Sequence, residues 1–402
     1  MRRLASHRRW SSLIAPVAMA TLGCGAEEPG GEPASRGPQA YVELLGGDTM
    51  AVETVTRGAA RIEGAIVHRS PMTRLVTYSL DLDEAGNVTK FETEHTTPPE
   101  NPEGAGPWRA TITLAGGVAT ITREAEGIVD TSSVEVGGLV VPVTGRVPIA
   151  SGILEWAIGR ASGATEAIGF NVLSPWGGTP EPQPNVLTPR GGGEWSIDFF
   201  GNPQVVTVDG AGHVAGVSGA ETTMKIEVHP ATIPDLSSLA SDYASRDARG
   251  EGMGTASPQA LARLDAGGPR LDITYSRPAM RGRSIWGGLV PFGEVWRTGA
   301  NAATHVTIDR DLRIGNLDVP RGTYTLWSIY TPDGGELIVN RDTRIWGTAY
   351  DPAHDLGRTP LSRTRLTEPV ERFTISIEGT EQGGILHLSW DRTRFSVPFH
   401  AR

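Results

Sequence analysis

YSRPAMRGRSIWGGLVPFGEVWRTGANAATH, residues 275–305, decides how the last third of this chain folds. Just before it, Leu271, Asp272, Ile273, Thr274 and Tyr275 alternate apolar with polar, the period of a half-buried strand. Ser276-Arg277-Pro278 ends that strand, because proline brings no donor to a ladder. Residues 285–296 are apolar but broken by Gly287, Gly288, Pro291 and Gly293, which is loop chemistry with one buried side. Thr304, His305, Val306, Thr307 and Ile308 then restore period two. The stretch is a connector between two strands, and it carries four arginines, two tryptophans and Asn301.

Further along come LDVPRGTYTL (residues 317–326), LIVN (337–340), IWG (345–347) and Tyr350. Together with GGLVPFGEVWRTGAN (287–301) these resemble the DUF2911 family of bacterial exported proteins, over roughly residues 269–400. The chain departs from that pattern at residues 327–332, WSIYTP, where the family more often shows a Phe-Thr-Ile-Pro type segment. The family has no settled activity, so the resemblance implies a compact β domain and assigns no chemistry.

A chain of 402 residues exceeds what one core supports, so several domains are expected. Residues 1–24 read as an export signal: Arg2, Arg3, Arg8 and Arg9 precede an apolar run too short to span a bilayer. Thr21-Leu22-Gly23-Cys24 resembles a bacterial lipobox, and Cys24 is the single cysteine, so it is the expected lipidation site. A Gly/Pro/Glu tether follows over residues 25–40. These features predict an envelope protein held to a membrane by lipid, on the outer membrane facing periplasm or cell surface. With one cysteine no internal disulfide can form. The net charge of −10 and only two lysines, Lys90 and Lys225, leave no basic stripe for nucleic acid.

From residue 41 to 230 short alternating runs follow one another between glycine-rich turns, the pattern of an antiparallel β barrel, half-barrel or sandwich. Helical periodicity is not evident there. Asp83-Glu84-Ala85-Gly86-Asn87-Val88 is echoed by Asp209-Gly210-Ala211-Gly212-His213-Val214, each read as a hairpin turn. A calcium loop through Asp81, Asp83, Gly86 and Glu92 is disfavoured by Ala85 at its fifth place and by the lack of flanking helices. Residues 231–268 form a linker with one short helix, N-capped by Asp235, before the β domain of residues 269–402. Exported half-barrels hold apolar ligands, but a filled core is the plainer expectation for residues 41–230.

No nucleophile elbow, zinc-helix motif or phosphate-loop lysine occurs, which points away from catalysis and from any cofactor or metal. A metal shared by His305 and His387 is weighed and set below solvated strand histidines. The better constellation is Arg277, Arg297, Asn301, Asn340, Trp346, Tyr350 and Asp355, with Arg358, all at strand ends or loops. Guanidinium groups grip carboxylate or phosphate, Asn orients, and Trp or Tyr offers a face for stacking. That composition predicts non-enzymatic binding of an anionic, glycan or apolar ligand. Two other readings stand beside it: Arg277 and Arg297 pairing internally with Asp272, Glu294 or Asp355, and a hydrolase working through Asp355 or His305.

Overall fold

Alternating runs with tight turns build sheet by pairing each strand to the next, and most of this chain is built that way. The computed structural model describes residues 36–101, 106–144, 149–176, 181–198, 203–220, 222, 224–264 and 268–402. Cys24 and the rest of residues 1–35 lie outside the described residues. Among the described residues the chain is mainly β, in two large sheets with no closed barrel, and has two short α-helices.

The first sheet has fifteen strands, from Arg36–Leu45 to Ile226–Ala231. Its first eight strands pair in chain order, as do its last seven, and the halves join where Arg36–Leu45 meets Ile226–Ala231 (Tyr41 opposite Pro230). Every pairing is antiparallel except that of Leu139–Pro142 with Ile168–Leu173. A parallel pair needs a crossover, and here it is a helix, α1 (Ser151–Ala161). Ile153, Leu154, Ala157 and Ile158 of α1 are buried in one core with Tyr41, Val55, Leu80 and Phe91 of the strands.

The sequence reading missed α1, for physical reasons. The helix is buried almost all round, so it shows no polar face. Its N-cap, Ala150, offers no side-chain oxygen. The cap comes instead from Glu53, whose carboxylate accepts from Ser151 N (2.7 Å) and Gly152 N (3.3 Å). A Cβ on Gly152 would sit 2.5 Å from Val55 Cγ2 and 2.6 Å from Tyr78 Oη, so the close approach of helix to sheet requires glycine.

The two echoed turns do form matching hairpins. Gly86 N donates to Asp83 O and Gly212 N to Asp209 O, each at 2.9 Å, while Asn87 N and His213 N each donate to the Asp side chain that opens the turn. The linker helix also forms, as α2 (Leu236–Ala248), with Asp235 Oδ1 accepting from Ser237 N and Ser238 N. It is docked: Asp247 accepts from Thr73 N at 2.6 Å, and Arg69 lies 4.1 Å over the Tyr243 ring.

The second sheet has ten strands between Gln259–Arg263 and Gly383–Ala401. The strands read on either side of the connector appear as Leu271–Ser276 and Thr304–Ile308, and they pair directly (Ile273 opposite Val306). The connector's apolar side enters the core through Ile285 and Val290, beside Tyr330, Phe373 and Trp390. Two contacts tie its tip to the first sheet: Gly47 N donates to Arg281 O at 2.8 Å, and the Arg281 guanidinium pairs with Asp48.

Candidate functional site

The structure splits the candidate residues into three places. Arg277 holds the connector to a neighbouring strand, donating to Phe373 O (3.2 Å) and Thr374 Oγ1 (2.8 Å). It makes no pair with Asp272, which is taken by Arg263 and Arg270.

Asn340, Tyr350, Asp355 and Arg358 form a second group that satisfies itself. Asn340 is fully buried, donates to Asp351 O and Asp355 Oδ1, and accepts from Asp342 N. Tyr350 donates to Asp355 Oδ2 at 2.8 Å, and Arg358 closes the set on the same carboxylate at 3.1 Å. Burial, then the Asp355 carboxylate, pushes the Tyr350 hydroxyl up to about 12. His305 is likewise committed, with Nδ1 against Ala303 O and Nε2 accepting from Arg344 N, both at 2.7 Å. His387 is buried, where a solvated position was expected, and lies 2.7 Å from Ser396 Oγ. Among the described residues no three His, Cys, Asp or Glu side chains gather as a metal site.

The third place is a cleft of about 540 Å³ at the junction of the two sheets, and Arg297, Asn301 and Trp346 all line it. Trp296 and Trp390, stacked with centroids 5.8 Å apart, contribute two more indoles. Arg283 and Lys225 bring further positive charge, and no carboxylate stands among the described lining residues. Arg283 donates to Met280 O and Ala279 O, and Lys225 Nζ to Ala220 O.

Arg297 differs from its neighbours. Its one hydrogen bond goes to Asn301 O at a long 3.4 Å, and no carboxylate pairs with it among the described residues. Burial alone acts on it, lowering the guanidinium pKa. The loop that carries it is fixed in an unusual conformation. Thr298 and Asn301 have φ of 50° and 59°, and a β-branched residue there costs on the order of 1–3 kcal/mol. That conformation is held by Thr304 Oγ1 donating to Thr298 O (2.7 Å) and by the Thr298–Ser328 hydroxyl contact (2.9 Å). On the far side Gly347 closes in: a Cβ there would lie 2.5 Å from both Arg297 Cδ and Asn301 O. These contacts hold the backbone that carries Arg297.

Residues 257–399 match the model of DUF2911, a protein family of unknown function. The DUF2911 region thus begins at Ser257, earlier than residue 269, and takes in the edge strand Gln259–Arg263. It contains Arg297, Asn301 and Trp346, but other lining residues, Leu45, Met50, Met224 and Ile226, come from outside it. A crystal structure of a DUF1089 family protein from Pseudomonas aeruginosa is similar at 13% identity, covering 43% of this chain and 91% of that one. Its TM-score is 0.31, and nothing is carried over from it. No curated protein matches the chain.

Sequence reasoning named three of the lining residues, Arg297, Asn301 and Trp346, and missed the rest. Arg283 was visible only as one of four arginines in the connector. Leu45 and Met50 carried no signal, because what brings them to the cleft is the Asp48–Arg281 pair, 233 residues apart.

Proposed function

We propose that this chain is a non-enzymatic binding protein that takes an anionic ligand in the cleft at Arg297. One observation carries the reading: a half-buried guanidinium without a carboxylate partner among the described residues, in a cleft whose described lining bears cations and indoles and no acid. A desolvated charge is costly unless an opposite charge meets it, and a ligand carboxylate or phosphate would do so bidentately. The hydrolase alternative lacks such support, since Asp355 and His305 are bound up in their own hydrogen bonds. As part of the same reading, lipid on Cys24 holds the protein at the cell envelope, on the outer membrane.

The test is thermal shift on the intact chain with phosphate, citrate, acetate and neutral sugars, repeated on Arg297→Ala and Arg297→Lys. We expect an anion to raise the parent's melting temperature, Arg297→Ala to lose that rise, and Arg297→Lys to keep part of it, because lysine retains charge without the fork. An equal rise in Arg297→Ala, or a rise with neutral sugars alone, overturns the reading. For the anchor, Cys24→Ala should leave the detergent phase; unchanged partitioning rejects it.

A further inference from the structure

Building on the anion-binding reading above, we propose that the ligand is a single-headed amphiphile, an alkyl carboxylate. Its head meets Arg297 and its chain crosses to the first sheet. Volume is the first reason. The cleft holds about 540 Å³, far more than an inorganic anion fills and within the roughly 300–1,000 Å³ typical of sites for small organic ligands.

The lining is the second reason. Leu45, Met50, Met224, Ile226 and Leu289 give the lining its apolar part, with Lys225 between Met224 and Ile226. Methionine is unbranched and polarizable, and it adapts to a flexible chain. Leu45 and Met50 are continuous with a small apolar cluster that includes Met253, so this wall is backed by packed side chains. Leu45, Met50 and Ile226 are already buried, and a bound chain would cover chiefly the half-buried Met224 and Leu289.

The third reason is the shortage of acceptors. Sugar hydroxyls need acceptors when buried, and the side-chain acceptors in the described lining are the Thr222 and Ser257 hydroxyls and the Asn301 amide. An alkyl chain needs none. Its head group needs one fork, and Arg297 supplies it.

The experiment is calorimetric titration of the intact chain with sodium alkanoates from butanoate to dodecanoate, kept below micelle formation. Decanol serves as the headless control. Each added methylene should tighten binding by up to about fourfold until the chain outgrows the cleft. Decanol should bind at least tenfold more weakly than decanoate. Met224→Ala should weaken dodecanoate several-fold more than butanoate. Affinity that does not change with chain length, but is lost in Arg297→Ala, overturns the amphiphile and leaves the anion site standing. Affinity that rises with length equally in the parent and in Arg297→Ala overturns the anion site. No binding by any member at millimolar concentration overturns both.

Discussion

Arg57 in the first sheet and Arg297 beside the second are both drawn out of bulk water, and they are met differently. Arg57 pairs with Glu155 of α1, and its Nη1 donates to Gln39 Oε1 at 2.7 Å. Glu155 in turn accepts from Tyr41 Oη (2.5 Å) and Val214 N (2.7 Å), so the charge is enclosed and its partner is shared with backbone and sheet. Arg297 has one long bond to a carbonyl. Between these two arginines the difference is whether the chain supplies the counter-charge.

Removing the counter-charge in the first sheet is the largest expected effect. Glu155→Ala leaves Arg57 buried without its partner and strips acceptors from Tyr41 and from the Val214 amide. The cost should be roughly 3–5 kcal/mol in urea unfolding. A loss under about 1 kcal/mol would erase the contrast, because Arg57 would then behave like a surface pair.

A second carboxylate sharpens the comparison through pH. Glu43 lies on the inner face of the first sheet with Oε1 unpartnered, lining a space of about 30 Å³ near Glu53 and the start of α1. Burial first, and the Glu53 charge second, push its carboxyl up to about 8. The folded chain thus holds a proton that the unfolded chain releases near pH 4.3. Stability is full below that value, falls as pH rises through about 8, and is level above. Between pH 5 and 8 the parent should lose on the order of 3 kcal/mol relative to Glu43→Gln. Parallel stability curves for the two proteins would contradict the burial of an acid at this point.

How much of this was legible in the sequence follows from where each signal sits. α2 was readable because its cap, Asp235, is one residue from its first turn. α1 was not, because its cap lies 98 residues away on a strand. The connector was readable as strand, broken loop and strand, since glycine and proline act locally. Arg277 and Arg297 looked alike in sequence; only the fold gives one the Phe373 carbonyl and leaves the other at the cleft.

The packing of α1 provides a smaller test. Gly152→Ala places a methyl 2.5 Å from Val55 Cγ2 and 2.6 Å from Tyr78 Oη, in contact with the hydroxyl that donates to Glu53. Overpacking of this kind costs about 1–3 kcal/mol. The loss should appear in chemical unfolding and leave ligand response at the cleft intact. A Gly152→Ala protein as stable as the parent would mean that α1 can lift from the sheet, and the enclosed network around Glu155 would lose its standing as scaffold.

The smallest expected effect is on the other side of the comparison. Arg297→Ala removes a half-buried charge that lacks a carboxylate partner among the described residues, so little attraction is lost. Two terms then oppose one another. The side chain packs its stem against Gly347, and losing that contact destabilises; the guanidinium's desolvation is relieved, which stabilises. Without ligand the variant should unfold within about 1 kcal/mol of the parent, and Arg297→Met, which keeps the stem and drops the charge, should be at least as stable as Arg297→Ala. A large loss in both variants would mean that the guanidinium is itself part of the frame that holds Asn301 and Trp346 together. Arg297 would then stand with Arg57 as scaffold, and the contrast between the two sheets would fail.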